Sequence, residues 1–189
     1  MPFSYPIFLD LTDVPVLIVG GGLIAFRKAQ GLAAGGALIT VVAPDILPDL
    51  IEIAAHTELR RYQAGEATNY QLVITATSDA SVNARVALDA RNAQVWVNSA
   101  DDPQNCSFIL PAVARQGLVS MAISTGGSSP ALASRLRTDI AARELTPHVH
   151  EAAVELARQR DEIKRTGAST QAIDWTDRVT QALHPRASK

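Results

Sequence analysis

Short apolar runs alternate with helically spaced apolar positions through the first half of the chain, and that alternation stops after Pro103. Residues 14–19, 38–42, 58–62, 72–76 and 95–97 read as strands, being short and rich in Val, Ile and Leu. Between them, residues 23–34, 46–55 and 81–91 carry helical spacing. The first helix is stopped by Gly35-Gly36, and the third places Val82, Val86 and Ala90 on one face. Strands alternating with helices at this spacing predict βαβ units, and right-handed crossovers then predict a doubly wound parallel sheet.

Beyond Pro103 the period changes. Residues 107–110 and 118–123 read as strands, and the five residues 113–117 leave no room for a crossover helix, so an antiparallel pair is expected. Residues 129–145 follow as a helix with Leu132, Leu136 and Ile140 in one stripe. Pro147 punctuates it, and residues 149–165 form another helix, with Val149, Ala153, Leu156 and Ile163 facing one way. After the break at Gly167-Ala168-Ser169, residues 173–183 read as a last short helix before a frayed tail. The expected fold class is α/β: a Rossmann-like doubly wound parallel sheet over residues 1–112, a small α+β segment over 113–146 and a helical C-terminal segment over 147–189.

The first strand runs into Gly20-Gly21-Gly22, and the helix beginning at Leu23 and Ile24 continues through Ala25. In this strand–loop–helix context the G-x-G-x-x-A spacing points to a dinucleotide. Gly20 can take the turn, Gly22 lets the backbone approach a pyrophosphate, and Ala25 permits close helix–strand packing. The helix start adds free N–H groups and partial positive charge. A ligand-free glycine turn is the competing reading.

Four further loops are candidates. Pro44-Asp45 follows the second strand, with Asp45 about twenty residues past the glycines, where an acidic residue holds the adenosine ribose. Asp45 can equally cap the next helix. No arginine directly follows that strand, so NAD is favoured over NADP. Thr75-Ala76-Thr77-Ser78-Asp79, at the end of the fourth strand, can touch the cofactor, or Ser78 or Asp79 can cap a helix. After the fifth strand, Asn98-Ser99-Ala100-Asp101-Asp102-Pro103 offers two adjacent carboxylates, a general base or an ordinary turn. Ser124-Thr125-Gly126-Gly127-Ser128-Ser129-Pro130 can form an N–H nest for an anion, with Ser129 as cap and Pro130 in the first helical position.

Composition narrows the classes. Apolar residues are 47% of 189, yet no apolar run is long enough to span a membrane. The net charge of −2 gives no reason to expect nucleic acid. The start lacks signal-peptide character, and a single cysteine, Cys106, excludes an internal disulfide, so the expected setting is cytoplasmic. His148 and His150 are two apart and do not share a helical face, and no resident metal site is expected.

Taken together, these segments resemble the precorrin-2 dehydrogenase / sirohydrochlorin ferrochelatase family of sirohaem synthesis. The resemblance covers about residues 5–145. It rests on Pro6-Ile7-Phe8-Leu9-Asp10-Leu11, Val19-Gly20-Gly21-Gly22 with Ala25, Arg27 and Lys28, and Val42-Ala43-Pro44. It continues in Ala76-Thr77-Ser78-Asp79 with Asn83, Asn98 with Asp101-Asp102-Pro103, and Ser107-Phe108-Ile109-Leu110-Pro111. Ile123-Ser124-Thr125-Gly126-Gly127-Ser128-Ser129-Pro130 with Arg135-Leu136-Arg137 closes it. The resemblance implies NAD-dependent oxidation of the tetrapyrrole precorrin-2 to sirohydrochlorin, insertion of Fe2+ in some members, and a homodimer with residues 113–146 as the dimerisation segment. Asp101 matches the family's acid/base position and Asn98 the cofactor loop. The substrate's carboxylates direct attention to Ser124, Thr125, Gly126, Gly127 and Ser128, assisted by Arg135. Fe2+ or Co2+ enters only as a substrate. Ser99-Ala100 departs from the family's two apolar residues there, and residues 149–189 carry little family signal. The alternatives are a chelatase with weak or no dehydrogenase activity and a non-catalytic NAD-sensing module.

Overall fold

The strands β1 (Pro15–Val19), β2 (Leu38–Ala43), β3 (His56–Leu59), β4 (Leu72–Thr75) and β5 (Trp96–Ser99) form one parallel sheet in the order β3-β2-β1-β4-β5. The computed structural model describes residues 3, 5–100 and 102–184, so Asp101 lies outside the described residues. The chain divides into two compact units, Met1–Ile109 and Leu110–Lys189.

In the first unit, alternation along the strands sends side chains to two cores. Val16, Ile18, Ile39, Val41 and Ile74 pack with Ala25, Ala29 and Leu32 of helix α1 (Leu23–Ala33) and with Leu50 of α2 (Pro48–Ile53). Leu17, Val19, Val73 and Val97 pack on the other face with Val86, Ala87 and Ala90 of α3 (Ala80–Asn92). Helices on both faces are what parallel strands apolar on both sides require. Because β1 is central, with β2 on one side and β4 on the other, the strand order reverses between β1 and β4. Ligands of open α/β sheets lie at the carboxyl ends of the strands beside that reversal. The Rossmann-like sheet expected from the pattern is present.

Expected boundaries move at β3 and α2. Strand β3 ends at Leu59, short of residue 62, because Arg60 turns back onto Glu58 and Glu66 in a double ion pair at 2.6 Å each. The following segment is tied to α3 instead, with the Tyr62 hydroxyl and the Gly65 N–H both donating to Asp89 Oδ2. Helix α2 starts at Pro48, not Ile46. The Leu47 N–H is donated to the Gly21 carbonyl at 2.9 Å, and Pro48, lacking an N–H, takes the first helical position. Asp45 therefore does not cap α2.

In the second unit the antiparallel pair exists, but its first strand is β6 (Ala112–Gln116), paired with β7 (Val119–Ile123). Residues 107–110 are not a strand. Residues 107–109 belong to the first unit, where the Ser107 N–H donates to the Val97 carbonyl and Phe108 packs on the α1-side core. Helices α4 (Pro130–Glu144) and α5 (Pro147–Arg165) pack on the hairpin, and α6 (Thr176–Leu183) packs on α5. The 132/136 stripe of α4 is not interior: Leu132 and Leu136 are 50% and 38% exposed, whereas Ala133 is buried. Among the described residues no helix is long and apolar enough to cross a membrane.

The hairpin turn is held by α5. Gly117 sits at φ +55°, and the Leu118 N–H donates to His150 Nδ1 at 3.2 Å. A Cβ on Gly117 would lie 2.0 Å from that same nitrogen. Gly117→Ala therefore combines left-handed strain with displacement of the imidazole, and a loss of about 2 kcal/mol is expected. Denaturant unfolding followed through tryptophan fluorescence checks this, and an unchanged midpoint would remove His150 as the brace of the turn.

Candidate cofactor-binding site

The three glycines of the β1–α1 loop do different work. Gly20 has φ +126°, and a Cβ there would lie 2.4 Å from the Ala76 carbonyl oxygen. A Cβ on Gly21 would lie 1.9 Å from the Asp45 carbonyl oxygen. These two glycines are thus required by the protein itself, wedged between the β4–α3 and β2–α2 loops. A Cβ on Gly22 meets nothing within 4 Å, so no neighbouring protein atom explains that glycine. Gly22 is also the N-cap of α1, in extended geometry and without a side-chain cap, and the first turn carries no acidic residue.

An α-helix leaves its first N–H groups without intrahelical acceptors, and with the macrodipole they attract anions. The arrangement fits a pyrophosphate: open space above Gly22, an uncapped helix start, and Ala25 fully buried so that α1 lies close on the sheet. Leu23 and Ile24 stand half exposed beside this opening, 53% and 47% accessible. Two apolar side chains flanking free N–H groups suit a ligand with a charged bridge and flat rings. Pro44 and Asp45 are exposed at the carboxyl end of β2, Asp45 meeting the glycine loop through its carbonyl.

The β4–α3 loop is closed on itself. The Thr75 hydroxyl, fully buried, donates to Asn83 Oδ1. The Thr77 hydroxyl donates to the same oxygen at 2.8 Å and accepts from the Asp79 N–H at 3.1 Å. Asp79 caps α3, its Oδ1 accepting from the Ser81 and Val82 N–H groups. The Ser81 hydroxyl and those N–H groups hold the Asp79 carboxyl below its ordinary range. What this loop offers a ligand at Thr75, Ala76 and Thr77 is therefore backbone.

At β5 the Asn98 amide is buried and occupied. Lys28 Nζ of α1 donates to its Oδ1 at 2.7 Å, and its Nδ2 donates to the Phe108 carbonyl at 3.0 Å. The Ser99 N–H donates to Cys106 Sγ at 3.2 Å, and burial pushes the Cys106 thiol up. Pro103–Asn105 forms a 3-10 turn in which the Asn105 N–H returns to the Asp102 carbonyl, so the turn reading holds for Asp102-Pro103. The 99–106 loop is thus anchored at both ends. Lys28, 70 residues from Asn98, belongs to this site and was read from sequence only as part of a family motif.

In the second unit, Gly126 and Gly127 both adopt left-handed φ, +62° and +83°. The Gly126 N–H donates to Ser124 Oγ, the Ser128 N–H to the Thr125 carbonyl and the Ser129 N–H to Thr125 Oγ1. Ser129 caps α4 through the Leu132 N–H. Arg135 is 76% exposed in its side chain and paired with Asp139 along the helix. His148 is exposed too, paired with Glu151 at 3.3 Å.

A family described as putative NAD(P)-binding matches residues 7–112, and one described as sirohaem biosynthesis protein, central, matches residues 116–143. The chain is 44% identical over 139 residues to a siroheme synthase of Methylococcus capsulatus, covering 71% of this chain and 29% of that protein. It is 38% identical over 190 residues to siroheme synthase 3 of Aeromonas hydrophila, covering 94% of this chain and 40% of that one. The chain thus spans less than half the length of these curated relatives. A solved structure named SirC, precorrin-2 dehydrogenase, superposes with a TM-score of 0.75 at 28% identity, covering 95% of this chain and 98% of that one. With the strand order and the open, uncapped glycine loop, the match over residues 7–112 establishes that the chain belongs to the family described as putative NAD(P)-binding.

Proposed function

We propose that this chain is an NAD-dependent dehydrogenase that oxidises precorrin-2 to sirohydrochlorin. The observation that carries the reading is Gly22, open at an uncapped helix start and set at the strand-order reversal. A dinucleotide bound there supplies the hydride acceptor. NAD is preferred over NADP because Asp45, exposed at the end of β2, disfavours a 2′-phosphate.

Oxidation removes a hydride and a proton from the tetrapyrrole, so the protein needs a base. We assign that role to Asp101, on its family match and its place in the loop after β5. The substrate's carboxylates are assigned to the 124–129 loop, supported by its paired left-handed glycines and the Ser124 and Ser128 hydroxyls. A homodimer is supported by the exposed Leu132 and Leu136 of α4. Fe2+ or Co2+ would be a second substrate, and the setting cytoplasmic.

The test is anaerobic turnover of enzymatically made precorrin-2 with NAD+ or NADP+, then with Fe2+ added. Preference for NAD+ by at least about tenfold in kcat/KM is expected from repulsion of a 2′-phosphate at Asp45. Equal use of both would remove Asp45 as the selector. Metal uptake without any reduced nicotinamide would replace the dehydrogenase by a chelatase.

A further inference from the structure

We infer that Asn83 is a positioning residue for the dinucleotide, acting through the β4–α3 loop. The inference rests on the cofactor reading above. Asn83 lies in the first turns of α3, 9% exposed, and its amide gathers the whole loop. Its Oδ1 accepts from the hydroxyls of Thr75 and Thr77 and from the Thr77 N–H at 3.1 Å, while its Nδ2 donates to the Thr77 carbonyl at 3.0 Å. Both polar atoms of one side chain are thereby committed to the backbone and hydroxyls of residues 75–77.

That loop is one wall of the glycine loop. The Ala76 N–H donates to the Val19 carbonyl at 2.8 Å, and the Ala76 carbonyl occupies the space a Cβ on Gly20 would need. The chain of contact runs from Asn83 to Thr77, to Ala76, to Gly20, and so to Gly22 two residues on. Removing the amide leaves the buried Thr75 hydroxyl and the Thr77 N–H without their acceptor. The 76–77 backbone then loses the constraint that holds it against Gly20, and a site that depends on supporting contacts for its geometry loosens. α3 keeps its own cap at Asp79, so the helix does not depend on Asn83 for its start.

The experiment is a fluorescence titration of the full chain with NADH, in wild type, Asn83→Leu and Thr77→Val, beside thermal unfolding and steady-state kinetics. Asn83→Leu is expected to weaken NADH binding about tenfold, and Thr77→Val about threefold, as buried hydrogen-bond losses of this kind do. KM for NAD+ rises with the dissociation constant, while kcat at saturating NAD+ stays within about twofold. A merely structural role would lower the unfolding temperature and leave the affinity of the folded protein unchanged, and that result overturns the inference. If Asn83→Leu does not fold, Thr77→Val decides alone: wild-type affinity in that variant overturns the role equally. Failure of the wild type itself to bind NADH removes the cofactor reading, and this role with it. Wild-type binding with unaffected variants removes only the role of Asn83.

Discussion

Gly22→Asp is expected to abolish NADH binding without destabilising the protein. The position has room for a Cβ, nothing lying within 4 Å of one. Its backbone, at φ −89° and ψ −173°, is the extended geometry in which aspartate caps a helix. The new carboxylate would take up the N–H groups at the start of α1 and repel a phosphate from them. Loss of these contacts and the added repulsion should weaken NADH by at least about a hundredfold, or about 2.7 kcal/mol. The unfolding temperature should hold or rise slightly, as it does when a cap is supplied. Calorimetric titration with NADH and a thermal melt together check it. Binding near the wild-type level would mean that the cofactor's phosphates do not sit over Gly22. Any insertion of Fe2+ into sirohydrochlorin should survive the substitution, and loss of both activities in a folded variant would show that the two share the glycine loop. Gly20 and Gly21 do not permit the same test, because a side chain at either strikes the Ala76 or Asp45 carbonyl.

The second large effect is expected at Asp101. Asp101→Ala should lower kcat by about a hundred- to ten-thousandfold, the range over which positioned acid–base catalysis contributes. NADH affinity should stay near wild type, since the phosphate contacts proposed above are made by the β1–α1 loop. The chain around that position is secured by other residues: Ser107 on Val97, Asn98 on Phe108 and Lys28, and Cys106 on Ser99. Loss of turnover with retained binding would therefore be chemical. Retained turnover in Asp101→Ala would remove it as the base and shift attention to Asp102, whose carboxylate accepts from Asn105 within its turn.

The parts of this molecule legible in the sequence are those where local pattern and burial agree. β1, β2 and β4 are continuous apolar runs because both sheet faces are covered, and α1 and α3 follow them at the expected spacing. The hairpin was misplaced because the apolar residues 107–110 are a connector anchored on β5. Its true first strand, Ala112-Val113-Ala114-Arg115-Gln116, alternates too weakly to stand out. The apolar stripe of α4 is legible as a face, but its exposure at Leu132 and Leu136 is not, since periodicity reports a face and not what covers it. In the site, the glycine motif was visible but the division of labour within it was not: Gly20 and Gly21 are explained by carbonyls 56 and 24 residues away along the chain. Lys28 on Asn98 and the convergence of Thr75 and Thr77 on Asn83 are tertiary hydrogen bonds, for which spacing carries no signal.

Stoichiometry decides whether the dinucleotide site serves oxidation of a tetrapyrrole. Purified protein, precorrin-2 and NAD+ are mixed without oxygen, and NADH and sirohydrochlorin are followed together by absorbance. A two-electron oxidation with NAD+ as acceptor predicts one NADH for each sirohydrochlorin, with neither formed when NAD+ or protein is left out. Sirohydrochlorin appearing without matching NADH, or NADH binding tightly with no turnover at all, would contradict the account.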